Sequence, residues 1–246
     1  KRIFKYENGV DGMRQILWGF FKKTVIADNC AIFADVIFEN PENFGGGILI
    51  LGAVLFAFQI YADFSGYSDI AIGTARLLGF DLKQNFAFPY FSRDIAEFWR
   101  RWHISLSTWF RDYLYIPLGG SRVNLIKRIR NIFAIFLVSG LWHGANWTFL
   151  FWGGLHAVFY LPLMIFQKNR RHLTDVQYQN LKTALLEFYK IVRTFLLVSL
   201  AWIFFRAETI GGAFEYVGGI FDFSNSSLKS LLTILEFPEH RFWHLI

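Results

Sequence analysis

Between Asn131 and Gln167 the chain runs 37 residues without an Asp, Glu, Lys or Arg. A stretch that long and that apolar can enter a bilayer. Inside it sits Leu141-Trp142-His143-Gly144-Ala145-Asn146-Trp147, and a second imidazole follows at His156. An ionisable ring at membrane depth is costly, so it marks a candidate functional site by default. His143 is the first such candidate.

Lipid as solvent fits the rest of the chain. Charged residues make up 18% of it and aromatic residues 20%, whereas a soluble domain is nearer about a quarter charged. Phe44 to Ala62 gives 19 uncharged residues ending at Asp63, close to the length of one crossing. Thr194 to Phe205 gives only 12 between Arg193 and Arg206. It reaches spanning length by taking in Ala184 to Lys190, with Glu187, Lys190 and Arg193 near one end. The expected fold is therefore all-α: a polytopic helical membrane protein with broken helices.

Residues 1–246 are expected to form a single membrane-embedded domain. The chain starts without Met on a basic segment (Lys1, Arg2, Lys5) that lacks a signal-peptide pattern, and it reads as the C-terminal portion of a longer protein. Cys30 is the single cysteine, which rules out an internal disulfide. The net charge of +6 gathers at Lys22-Lys23, Arg122 to Arg130 and Lys168 to Arg171. Such clusters flank apolar segments one by one, which is a topology signal rather than a nucleic-acid patch.

Asp11 to Phe38 reads as an interfacial or internally packed helix, broken by Pro41 and Gly45-Gly46-Gly47. In the segment beyond Asp63, Gly66 and Gly73 are spaced for close helix approach. Asn85 to Tyr90 reads as a loop. From Ser92 to Tyr115 a helix would place Trp99, His103 and Ser107 on one face, with Arg111 a turn further and Glu97 paired to Arg101. Both flanks of the uncharged run are basic, so the run is expected to enter and return. Two full crossings need about 40 residues, which predicts one short limb, broken between Ser139-Gly140 and Gly144. His143 would then lie near the tip of the broken limb. Irregular backbone at that depth survives only inside protein or against a wet cavity.

His143, Asn146 and Trp147 share a helical face in this reading. It makes His143 a general base, Asn146 or a neighbour the group fixing its tautomer, and the Trp rings a wall against lipid. The plainer alternative is a packed histidine donating to a helix carbonyl. His103 sits among Arg100, Arg101 and Arg111, as a site residue or a headgroup-level one. On one helix His156 lies about 220° from His143 and reads as structural. His172, His240 and His244 carry no signal. Asp63 and Asp69 could orient an imidazole, pair with an arginine such as Arg76, or cap the next helix. Metal ligation is not expected: there is no His-Glu-x-x-His and no Cys/His cluster. Serine-elbow and nucleotide motifs are missing too, although Ser65, Ser105 and Ser107 stay formally open as nucleophiles.

Four motifs occur in order: Tyr61-Ala62-Asp63-Phe64-Ser65-Gly66-Tyr67-Ser68-Asp69, Phe98-Trp99-Arg100-Arg101-Trp102-His103-Ile104-Ser105-Leu106-Ser107, Arg111-Asp112-Tyr113-Leu114-Tyr115-Ile116-Pro117-Leu118-Gly119-Gly120, and Gly140-Leu141-Trp142-His143-Gly144. Together they closely resemble the membrane-bound O-acyltransferase family in its bacterial alginate O-acetyltransferase branch. The teichoic-acid D-alanyltransferase membrane subunit is a near relative. The resemblance covers about Asp11 to Glu208, and Ala62 stands where relatives are expected to carry Phe. It implies helices around a central tunnel, with His143 the essential histidine and His103 the supporting one. Asp63, Asp69, Arg100, Arg101, Ser107, Trp142, Asn146 and Trp147 are expected around them. It also implies a bacterial inner-membrane, multi-pass enzyme without a tightly bound cofactor. Its substrate would be a cytoplasmic acyl thioester (acetyl-CoA or an acyl carrier). A periplasmic acetyltransferase partner would complete transfer to a polysaccharide acceptor. The competing classes are a transporter or flippase and a non-catalytic scaffold.

Overall fold

A computed structural model describes residues 5–173 and 180–222; His240 and His244 lie outside the described residues. Helix α1 (Tyr6–Phe20) runs through a π-helical segment (Phe21–Ala27) into α2 (Asp28–Glu39), and α3 (Gly46–Leu77) follows. Next come two seven-residue helices, α4 (Ile95–Arg101) and α5 (Ile104–Phe110), and a π turn over Arg111–Tyr115. The chain continues with α6 (Leu125–His143), α7 (Trp147–Ile165), α8 (Leu181–Arg206) and α9 (Ile210–Gly219). Among the described residues every regular element is helical. Helices α3, α7 and α8 are long and apolar enough to cross a membrane. The chain divides into two compact units, one of residues 1–83 with 206–246 and one of residues 84–205.

In the first unit, α1 and its π segment pack along α3. Gly12 abuts the carbonyl of Gly73, and Gly19 that of Gly66, each pair so close that a Cβ could not fit. Both helices therefore carry a seven-residue glycine spacing, and the small residues let backbones meet as small-residue packing in membranes requires. The polar motif of α3 does not interrupt the helix. Its carboxylates are paired instead: Lys22 with Asp69, and Lys23 with Asp63 at 2.6 Å. Lys22 also donates to Ser65 Oγ at 3.0 Å, and Gln15 donates to Asp69 at 3.2 Å. Arg76 pairs with Asp11, away from both motif aspartates. Pairing of this kind is what lets charges persist in an apolar helix.

In the second unit, α6 and α7 form a hairpin. Each has 19 residues, a rise of about 28 Å. The expected short limb is not seen. Helix α6 gains its length by starting at Leu125 inside the basic flank, where Asn124 Oδ1 accepts from Lys127 N at 3.0 Å. The break falls at Gly144–Asn146, later than Ser139-Gly140. Those small residues serve packing instead: Gly140 lies against the Phe149 carbonyl and Gly153 against the Phe136 carbonyl. Gly144 has φ +157° and its missing Cβ would meet the Phe149 ring, so glycine is required there.

Adjacent glycines of α7 give a controlled comparison. Gly153→Ala forces a methyl into the Phe136 carbonyl and is expected to cost about 1–3 kcal/mol. Gly154→Ala meets open space and is expected to add up to about 1 kcal/mol through helix propensity. Thermal unfolding of the two variants in detergent checks the opposite signs.

Candidate functional site

The helix expected to carry Trp99, His103 and Ser107 on one face is broken at His103. The backbone at His103 takes the left-handed conformation, φ +44° and ψ +56°, between the end of α4 and the start of α5. Non-glycine residues seldom adopt it, and a break leaves helical N–H and C=O groups without partners. Residues 85–87 supply them. Ala87 N donates to Arg101 O at 3.0 Å, and Ile104 N donates to Asn85 O at 2.9 Å.

Asn85 also reaches the ring. Its Oδ1 accepts from Ser105 N at 3.1 Å and from Ser105 Oγ at 2.9 Å, and lies 3.3 Å from His103 Nδ1. His103 is buried, its ring packed on Phe86 at 6.5 Å and on Trp142 at 5.9 Å between centroids. Nothing in the periodicity of 85–90 singles out Asn85. Its role arises from a contact 18 residues away along the chain.

His143 is the last residue of α6. Helix α7 starts afresh after Gly144, with the Asn146 side chain capping it by accepting from Thr148 N at 3.2 Å. The shared helical face of His143, Asn146 and Trp147 is thus replaced by a helix end. Trp147 is 74% exposed rather than a wall of the site. Other rings enclose His143: Trp142 at 4.9 Å, Phe205 at 5.0 Å, Trp152 at 5.2 Å and Phe149 at 6.2 Å. The two imidazoles of His103 and His143 therefore pack on one indole, that of Trp142.

His156 is fully buried one helical turn beyond Trp152, whose ring touches both His143 and His156. Its Nδ1 accepts from Trp99 Nε1 at 3.3 Å. That arrangement belongs to the aromatic core of α4, α6, α7 and α8.

A cavity of about 870 Å³ opens within this unit. Its exposed lining includes Arg111 and Arg170, and its buried lining includes Ile132, Phe136 and Ser139. Arg100, Ser107 and Arg128 contribute to the wall. Neither imidazole lines it, but Ser139 lies one turn before His143 on α6. The Nε of Arg128 is buried with no hydrogen-bond partner among the described residues. Arg100 is fixed by donating to the carbonyls of Asn169 and His172 at 2.9 and 3.2 Å. Ser107 Oγ donates to Trp102 O at 3.2 Å.

Arg101 is absent from the lining. It joins Arg93 on the buried Glu97 carboxylate, both at 2.7 Å. Arg93 N and Nε add bonds at 2.7 and 2.9 Å, while Asp94 caps α4 by accepting from Glu97 N at 2.7 Å. Burial opposes ionisation of Glu97, yet the hydrogen bonds and charges of Arg93 and Arg101 outweigh it and hold the carboxyl below its usual range. Asp63 and Asp69 lie in the other unit, on their lysines.

Fold and site define an all-α membrane protein with two histidines on a shared indole beside a basic-to-apolar cavity. The chain belongs to the membrane-bound O-acyltransferase family, whose model matches residues 12–205. It is 43% identical over 223 residues to the probable alginate O-acetylase AlgI of Pseudomonas putida, covering 90% of this chain and 43% of that protein. The peptidoglycan O-acetyltransferase of Helicobacter pylori is 38% identical over 230 residues, covering 94% and 42%. The teichoic acid D-alanyltransferase of Bacillus subtilis is 32% identical over 171 residues, covering 65% and 43%. The chain thus spans less than half the length of these curated relatives.

Proposed function

We propose that the protein is an O-acyltransferase of the bacterial inner membrane, crossing it several times. In this reading it takes an acetyl group from a cytoplasmic thioester and passes it toward a cell-surface polysaccharide, through a periplasmic acetyltransferase partner. The observation that carries the proposal is the packing of His143 and His103 on Trp142, one turn from a cavity graded from arginines to apolar rings. The names of the relatives support the reaction class.

His143 acts as base: a neutral imidazole takes the hydroxyl proton as the oxygen attacks the thioester carbonyl. The C–S bond then breaks and the departing thiolate takes the proton from the imidazolium. A variant of the same chemistry has His143 carry the acyl group transiently. Neutral His103 assists His143 in moving the proton. The cavity suits the phosphorylated pantetheine arm that acetyl-CoA and an acyl carrier share. Its arginines face the phosphates and its apolar interior faces the chain.

Arg128→Glu with Arg170→Glu in the full-length protein is expected to raise KM for the thioester about tenfold or more, with kcat changed less. Steady-state kinetics on both donors measures this. The overall reading is tested with isotopically labelled acetyl thioester and membranes that hold the complete protein. Label on carbohydrate supports it. Label that crosses the membrane with its thioester unbroken identifies a transporter instead.

A further inference from the structure

Resting on the assignment of His103 to the site, we infer that Asn85 is a positioning residue that fixes the tautomer of His103 and presents its Nε2 as the ring's acceptor. A backbone N–H can only donate, and Ser105 N meets the Asn85 side chain at Oδ1. The amide orientation is therefore set: Oδ1 faces α5 and the amide nitrogen faces away. Ser105 Oγ donates to the same oxygen. The His103 Nδ1 lies 3.3 Å from that acceptor and 3.4 Å from Ser105 Oγ, whose proton is committed to Oδ1; facing two acceptors, it is the protonated nitrogen of the neutral ring. An acceptor at Nδ1–H is how a protein dictates which imidazole nitrogen is left basic. The backbone bonds from residues 85–87 to Arg101 and Ile104 hold the acceptor in place, and they do so at the left-handed residue itself. Unusual backbone conformations of this sort persist where surrounding structure enforces them, and they cluster at working sites.

A titratable group that acts on His103 is His143 of α6. Asn85, Ser105, Phe86 and Trp142 are uncharged. A carboxylate introduced at position 85 would place a negative charge against the ring nitrogen. It would keep the acceptor while favouring the imidazolium.

The test compares Asn85→Leu, Asn85→Asp and His103→Ala in the full-length protein, in native membranes, following acetyl transfer from labelled thioester against pH. Asn85→Leu keeps the bulk and removes the Oδ1 that holds the Ser105 hydroxyl proton, which frees that hydroxyl to donate to His103 Nδ1; kcat is expected to fall about tenfold or more with KM little changed. Asn85→Asp is expected to recover much of that loss and to move the acidic limb of the profile to higher pH. The sign follows because a ring more readily protonated regains its base form only as pH rises. Wild-type kcat in Asn85→Leu, or an unmoved limb in Asn85→Asp, overturns the inference. If Asn85→Leu lowers protein abundance, the Asn85→Asp profile decides alone. Full activity of His103→Ala overturns the underlying site assignment instead, so the two failures are told apart.

Discussion

Replacing His143 by Gln in the full-length protein is expected to cut acyl transfer by about 10²–10⁴-fold, the range a positioned base contributes, while the protein stays in the membrane at normal abundance. The ring ends α6 and is only partly buried. Its contacts are with Trp142, Phe149, Trp152 and Phe205. A polar side chain of similar reach can stand at such a helix end without leaving a buried partner unsatisfied. The loss should fall on kcat with little effect on KM for the thioester, because the cavity lining is untouched. The measurement is acetyl content of surface polysaccharide by mass analysis, alongside quantitation of the protein in membranes. If abundance collapses in parallel with acetylation, His143 is a packing residue.

The second large effect is on stability. Glu97→Ala is expected to destabilise the second unit by about 3–5 kcal/mol, the cost of removing one partner from a buried ionic network. Glu97 is 1% exposed, and it neutralises Arg93 and Arg101. Without it Arg93, itself buried, faces the more distant Glu187 carboxylate at 3.8 Å. Helix α4 would lose the anchor of its first turn, and α4 brings Ala96, Trp99 and Arg100 to the cavity wall. Thermal unfolding in detergent reports the loss. Glu97→Gln keeps the shape and some hydrogen bonds, so it should fall between wild type and Glu97→Ala.

Much of this was readable before the structure because lipid imposes simple rules. A 37-residue uncharged run is too long for one crossing, and α6 and α7 divide it into two packed helices. The Gly66–Gly73 spacing likewise announced the close contact that α3 makes with α1. Other features were hidden for physical reasons. Ser139-Gly140 looked like a hinge because small residues permit kinks, yet the same smallness serves contact with α7. Trp99, His103 and Ser107 keep helical spacing across a break, and periodicity cannot register one left-handed residue held by a distant strap. The Glu97–Arg101 pair was legible from its four-residue spacing, but the role of Asn85 depends on a tertiary contact. So does the cavity, to which Tyr115, Arg128 and Tyr160 come from separate elements.

One measurement bears most directly on the claim that chemistry occurs at His143. Purified full-length wild-type protein and its His143→Gln variant, both inserted in vesicles, are mixed with labelled acetyl thioester and an acceptor. Free thiol release is followed over a single turnover. Rapid thiol release by the wild type, and release at the background rate by the variant, is the predicted result. Equal release by both proteins would contradict it.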